Sequence, residues 1–491
     1  MASRAWGGAA LAAVGIVVAV LGFRGEPARV RAGPTQAVTD DPESAINTNT
    51  SPVAIVAPGR PDVMVVAGRV DAPRLNCTVS VSTSAGRAWR PLALPLPSGA
   101  QNCFWPDVAF DADGNLLVLF TPTSGPFDLP DSLWLQRFRP DFTPDGPAAH
   151  AAGPLTFQPR LAVEGRTVLA AWIQARPERA DKSLGFSDPP NPVVVARSDD
   201  GGRSFSPPVV VSEPDRLAVQ PSVVALPGGG VLVGALDLGN DRQTYQSTDQ
   251  GLPGPPPAAR WRVVSWTSRD GGRTFGPAAV VTADVVPVQR VLVDLSPAPA
   301  FAVDTARNRL FATWESGHDV LLSRSDDGGA SWSPPHPVGP VPGDQFLPGI
   351  AVSPGGRVDM AFYDRAGDPA GVLAEVVVAS SADGGRSFTH GVVSDRRSDP
   401  TIGSFNGDTV MLGSHLAVVA QDSGSTVVWP DTARGNRVNN IVDLASVAVA
   451  VDRGRGAAVP LVAAGTVAAL LGLALSVRSW PAPGAGRGRS S

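Results

Sequence analysis

Asp237, Glu315, Asp364 and Asp431 each close an apolar run of this sequence, with Arg365 directly behind Asp364 and Arg434 a short step behind Asp431. Arg160 and Arg290 stand near the starts of other such runs. Carboxylates and guanidiniums brought to one hollow hold a sugar or an anionic group through charge-assisted hydrogen bonds. The competing reading is that segments ending at a surface are polar in any case and that these charges are simply solvated. The choice depends on whether the runs end on one side of the molecule.

A second set of polar residues recurs almost verbatim: SDDGGRSF from Ser198, SRDGGRTF from Ser268, SDDGGASW from Ser325 and SADGGRSF from Ser381. Acid and glycine together suggest a small metal or phosphate loop, but no other residue supports either. The five histidines show no H-x-x-x-H or H-E-x-x-H spacing. FDADGN lacks the downstream ligands of a calcium loop. LPGGGVL lies between two strand-like runs, so it is a hairpin turn and not a phosphate loop opening a helix. No G-x-S-x-G elbow occurs. Neither a metal nor a cofactor is expected.

Self-similarity identifies the elements that carry these groups. Apolar alternation, a Gly or Asp turn and a second alternating run recur in VAIVAPGRPDVMVVAG, DVAFDADGNLLVLF, RLAVEGRTVLAAW, SVVALPGGGVLVGAL, AFAVDTARNRLFATW, GIAVSPGGRVDMAFY and HLAVVAQDSGSTVVW. Period-two alternation about a tight turn is a β-hairpin. Most copies are followed by a second hairpin whose turn is the octet, as in PVVVAR-SDDGGRSF-SPPVVVS. Two hairpins make a four-stranded blade of about 60 residues, and blades bury their faces only by closing into a ring. The expected fold is all-β, a seven-bladed propeller, with six blades as the alternative. The seventh unit lacks a fourth strand, which TQAVTD, ahead of the first hairpin, would supply.

Strand direction then sorts the loops. Turns within hairpins fall on one rim, here called the bottom, together with every octet. Links from second to third strand, and from blade to blade, fall on the top. All the charged candidates named above belong to the top, as do the longest connections, Asp237 to Arg260 and Gln174 to Asn191. Loops of that length in a compact repeat usually carry function or motion.

The octets resemble the Asp-box, S-x-D-x-G-x-x-[WF], of the sialidase-like, BNR-repeat β-propellers. STSAGRAW from Ser82 is a degenerate fifth copy, with Ser84 in place of the aspartate. AFYDRAGDP and SFNGDTVMLGSHLAVVAQDSGSTVVWPDTARGN are similar to the closing blades of bacterial members, typified by YDRR-x-DP and GDY-x-G…W-x-DTR-x-G. The similarity extends from Ser51 to Ala450. It implies a structural box, in which Asp200, Asp270, Asp327 and Asp383 accept turn N–H groups, a glycine is left-handed and the aromatic packs between sheets. It also implies a sialidase-type exo-glycosidase: three arginines on the substrate carboxylate, a tyrosine nucleophile activated by glutamate, and an aspartate acid/base. By position these are Arg160, Arg290 and Arg365, with Tyr245, Glu315 and Asp237; Asp364, Asp431 and Arg434 complete a glycan-binding rim. Tyr363 alternates with strand apolars and reads as packing. The sequence departs from the family at Ala366, Thr409 and Ala433, and lacks the R-[IV]-P that carries the family's first arginine. A non-catalytic lectin-like module or protein-binding scaffold is the alternative.

The totals agree with an exported β protein. Among 491 residues there are 53 Gly and 49 Pro, which favours turns over long helices. A net charge of −5 without a central basic block excludes nucleic acid as a partner. Ala5 to Phe23 and Ala457 to Val477 are uncharged apolar runs of about 19 and about 21 residues, each long enough to span a bilayer as a helix. Arg478, Arg487 and Arg489 favour a cytoplasmic tail. The first run is an anchor or a cleaved signal peptide. The expected divisions are residues 1–31 for the N-terminal segment, 32–453 for an extracytoplasmic propeller and 454–491 for a membrane helix with its basic tail. Cys77 and Cys103, the only cysteines, read as a disulfide on the top rim.

Overall fold

The computed structural model describes residues 29–41, 47–124, 129–176, 191–240, 260–286, 298–340, 343–403, 412–436 and 438–452. Alternating runs there form antiparallel sheets, seven in all, and no helix occurs among the described residues. Blade 1 runs Thr48–Ala57, Arg60–Ala72, Asn76–Ser82, Arg90–Pro91. Blade 2 comprises Asn102–Phe110, Leu116–Ser124, Leu133–Phe138 and Ala149–Ala152; blade 3, Thr156–Glu164, Thr167–Gln174, Val193–Ser198 and Val209–Val210. Blade 4 comprises Leu217–Leu226, Gly230–Gly239, Trp261–Ser268 and Ala279–Val285; blade 5, Ala300–Asp304, Arg309–Ser316, Asp319–Ser325 and His336–Pro337. Blade 6 comprises Gln345–Val352, Val358–Asp364, Glu375–Ser381 and Thr389–Val392; blade 7 begins Ala417–Gln421, Gly424–Asp431, Asp443–Asp452. The architecture is a seven-bladed β-propeller, and the six-blade alternative is set aside.

Blade 7 is completed from the other end of the chain. Arg29–Ala32 and Gln36–Ala37 both pair with Asp443–Asp452, and Val38 N–H donates to Leu444 O at 2.7 Å. TQAVTD thus contributes, but pairing begins at Arg29, inside the segment assigned to the N-terminal run. Arg29 and Asp452 lie at the bottom of this blade, where blades 3 to 6 carry an octet. Val30–Val451 make one compact unit; of the other, Met1–Arg29 with Asp452–Ser491, only Arg29 and Asp452 are described. No helix among the described residues is long and apolar enough to cross a membrane, and both apolar runs lie outside those residues.

The core is a series of apolar layers between neighbouring sheets. One layer joins blades 2 and 3 through Leu119, Leu135, Val168 and Trp172; another joins blades 6 and 7 through Phe346, Tyr363, Val427 and Trp429. Octets staple the layers underneath. In the second copy, Asp270 Oδ1 accepts N–H from Arg273 at 3.0 Å and Thr274 at 2.9 Å, and Oδ2 accepts the Thr274 hydroxyl at 2.6 Å. Gly271 and Gly272 are left-handed, with φ of 74° and 86°, as the turn requires. The preceding blade donates into the octet carbonyls: Arg137 to Gly201, Arg197 to Gly271, Thr267 to Gly328 and His336 to Gly385.

The innermost strands share a second device. Ser51-Pro52, Trp105-Pro106, Gln158-Pro159, Gln220-Pro221 and Leu347-Pro348 each interrupt the pairing of a first strand with a bulge. The residue before proline is left-handed every time, with φ between 47° and 53°. Proline disfavours the right-handed helical region for its predecessor, and a non-glycine residue at positive φ is strained, so the surrounding sheet must hold these positions in place. Near the top, the bulges turn side chains toward the axis.

Candidate functional site

Those bulges build a recess on the axis. It is a small concavity lined by Ser51, Arg69, Trp105, Pro106, Gln158, Pro159, Arg160, Gln220, Ser414 and His415, drawn from blades 1, 2, 3, 4 and 7. Two contacts between blades that are not neighbours confirm the axial position. Arg160 of blade 3 lies 3.5 Å from His415 Nδ1 at the entry to blade 7, and Ala298 N–H, entering blade 5, donates to Ser414 O at 3.1 Å. In the seventh repeat Ser414-His415 occupies the place that x-Pro holds in the other six, including Ala298-Pro299. The recess has an imidazole because one proline is missing from the repeat.

Its polar groups are tightly arranged. Gln158 Oε1 accepts the Gln220 N–H at 2.7 Å, while Gln158 Nε2 is buried without a partner. Ser414 N–H donates to Ser51 Oγ at 3.0 Å, and Ser414 Oγ lies 2.9 Å from His415 Nδ1. Arg69 pairs with Asp71 at 2.8 Å. Arg160 donates through Nε to Pro221 O at 3.3 Å. Asp107, next to Arg160 electrostatically, accepts N–H from Val108 and Leu161, both at 2.8 Å. Burial raises Asp107 and lowers Arg160, and each charge partly offsets the other's shift. Burial, with Arg160 and Arg69 adding to it, pushes His415 well below its ordinary value, so the ring is neutral.

Of the nominated residues that the structure describes, the recess gathers only Arg160. Asp237 is clamped by Arg216, at 3.0 and 2.9 Å, and by Arg262 at 2.7 Å. Glu315 is buried and accepts the Leu347 N–H at 3.3 Å. Asp364 accepts from Ala366 N–H at 2.6 Å and Gln345 Nε2 at 3.1 Å, and burial raises its pKa. Arg365 pairs with Asp344 at 2.7 Å and lies over Phe346. Asp431, also raised by burial, accepts the Ala433 N–H at 3.0 Å. Arg434 bridges Asp443 at 2.7 Å and Asp40 at 2.9 Å. These rim charges tie the ends of strands to one another. Tyr245 and Arg290 lie outside the described residues. Tyr363 is buried, stacks on Phe346 at 5.2 Å and donates its hydroxyl to Pro430 O.

Cys77 and Cys103 form a disulfide, Cα atoms 5.4 Å apart, that joins the top ends of blades 1 and 2. It borders the recess: Cys77 is the cross-strand partner of Arg69, and Cys103 lies two residues before Trp105. Among the described residues no group of three or more His, Cys, Asp or Glu is placed to hold a metal. The lining residues other than Arg160 were not nominated from the sequence. The signal that marks most of them is the recurring x-Pro immediately ahead of each first hairpin's alternating run, replaced in the seventh by Ser414-His415.

No protein-family model matches the chain, and no curated protein does. Solved structures similar to it include a protein of unknown function from Dyadobacter fermentans, 15% identical, covering 86% of this chain and 99% of that one, with a TM-score of 0.49. An ulvan lyase, of a new family of polysaccharide lyase, is 12% identical over 81% of this chain and 93% of its own, TM-score 0.49. The NanB sialidase of Streptococcus pneumoniae is 10% identical over 85% and 70%, TM-score 0.42. What the recess can hold is therefore read from its own residues.

Proposed function

We propose that this protein is a membrane-tethered, extracytoplasmic propeller of the sialidase-like, Asp-box class that recognises glycan in its axial recess and does not hydrolyse it. The observation that carries the reading is the recess itself: strained x-Pro bulges from separate blades converge on buried polar groups whose hydrogen-bonding capacity is not used up within the protein. Strain and unused polar groups held together at one concavity are features of a ligand site. Trp105 supplies an apolar wall of the kind sugar faces pack on. Against hydrolysis, Glu315 and Asp237 are held by internal bonds, and both oxygens of Asp107 accept backbone N–H groups. A general acid must instead reach the scissile oxygen. Tethering rests on the apolar runs Ala5 to Phe23 and Ala457 to Val477.

The test uses the full-length chain on a panel of fluorogenic glycosides, sialosides included, and on a glycan array. The expected result is no turnover together with binding that Gln158→Leu weakens. Hydrolysis abolished by Glu315→Gln would overturn the non-catalytic reading. One observation favours a protein-binding scaffold instead: Val372, Leu373 and Val438, on top loops of blades 6 and 7, are 44%, 37% and 88% exposed.

A further inference from the structure

We propose that the axial recess reads an uncharged acyl oxygen, so that the glycan it takes is built from N-acetylated amino sugars; this rests on the reading of the recess as the glycan site. The argument starts from two donors whose orientation is fixed. Gln158 Oε1 is committed to the Gln220 N–H, which leaves Nε2 as the end of the amide that a ligand meets. His415 Nδ1 faces the Arg160 guanidinium at 3.5 Å and the Ser414 hydroxyl at 2.9 Å. A guanidinium can only donate, so Nδ1 accepts and the proton of the neutral ring sits on Nε2. That nitrogen too is buried without a partner. A buried donor left unsatisfied is costly, and a ligand oxygen that accepts from it recovers that cost.

Charge decides which oxygen. The guanidinium charges are offset: Arg69 is paired with Asp71 at 2.8 Å, and the charge of Asp107 acts on Arg160. The imidazole is neutral. An entering carboxylate would lose its hydration and meet no uncompensated cation, which is the unfavourable side of charge burial. A carbonyl oxygen accepts from such a donor without that penalty. The remaining lining suits the rest of an acetamido group. Trp105, Pro106 and Pro159 offer apolar surface to its methyl, and the hydroxyls of Ser51 and Ser414 are acceptors for its N–H.

The experiment is calorimetric titration of the full-length chain with three soluble oligosaccharide sets: N-acetylglucosamine oligomers, their de-N-acetylated counterparts and uronate oligomers. The expected result is binding of the first set, weakened at least tenfold by de-N-acetylation, with an affinity unchanged as salt rises. His415→Pro, which restores the repeat, is expected to weaken binding at least tenfold while leaving the melting temperature close to that of the parent. The salt series and the ligand comparison on the unmodified chain stand even if that variant fails to fold. Uronates bound as tightly as the N-acetylated set, with affinity falling as salt rises, would overturn the proposal while keeping the glycan site. So would neutral glycans bound equally well with and without the acyl group. Silence toward all three sets would overturn the glycan reading together with the proposal.

Discussion

Asp270 illustrates how much a single short carboxylate does in this fold. It accepts two backbone N–H groups and two hydroxyls, from Ser268 at 2.7 Å and Thr274 at 2.6 Å, and those bonds hold it well below the usual carboxylate range. The Ser331 bonds hold Asp327 at about 2. At Asp383 burial alone would raise the pKa, but the bonds from Ser387 and Ser381 outweigh it and leave it at about 2. A carboxylate depressed in the fold adds stability that is complete above its unfolded pKa and disappears as pH falls through the folded value. The octets therefore support the ring down to the ordinary carboxylate range, 3.8, and lose their grip between there and about 2. Asp431 and Asp443 act the other way: burial raises both, so their contribution weakens as pH climbs through their folded values. Asp327→Ala is expected to cost about 1–2 kcal/mol near neutrality, because turn N–H groups lose their acceptor. In urea titrations its deficit relative to the parent should shrink as pH approaches 2; a deficit constant with pH would mean that the carboxylate's charge plays no part.

At the scale of elements, two kinds of information differed in how visible they were. Hairpins and octets are local, since period-two alternation and a Ser-x-Asp turn lie within about twenty residues, so the blades were legible. The rim charges were visible as types, but their partners were not: Asp237 is neutralised by Arg216 and Arg262, which become neighbours only once three strands are paired. The x-Pro repeat lay in plain sight, yet it reads as punctuation until the ring places all its copies around one axis. His415 could have been found as the one departure from that repeat. The disulfide is where an element-scale test is sharpest. Closing a separation of 26 residues contributes about 3 kcal/mol. Cys77→Ser with Cys103→Ser should lower stability by that order and also weaken glycan binding, because the strand that carries Trp105 is no longer stapled to the strand paired with Arg69. Unaltered affinity would show that the recess walls hold without it. Between blades 4 and 5, a Cβ on Gly234 would overlap the Phe301 ring, so Gly234→Ala should destabilise by about 1–3 kcal/mol in a chemical melt.

For the whole molecule, the question is what keeps a ring of similar sheets from opening. Six blades are continuous in sequence, and the seventh is completed when Arg29–Ala32 and Gln36–Ala37 pair with Asp443–Asp452. The joint is reinforced at several points. Gly33 N–H donates to Ala448 O at 2.8 Å, Val38 N–H to Leu444 O at 2.7 Å, and Arg434 reaches Asp40 at 2.9 Å. Blade 7 also contacts blade 1 directly, since Asn49 N–H donates to Val442 O and Val442 N–H to Asn47 O, each at 2.9 Å. Deleting residues 29–40 thus removes the outer strand but leaves that second contact. At about 1 kcal/mol per backbone bond, several kcal/mol are lost, which is a large share of any domain's net stability. The melting temperature should fall by many degrees. Amide exchange should rise first along Asp443–Asp452, which becomes an unpaired edge, while the octet-stapled interfaces of blades 3 to 5 stay protected. A uniform rise across all blades would mean instead that the ring unfolds as one unit once its clasp is gone, and an unchanged melt would mean that the direct contact between blades 7 and 1 closes the ring by itself.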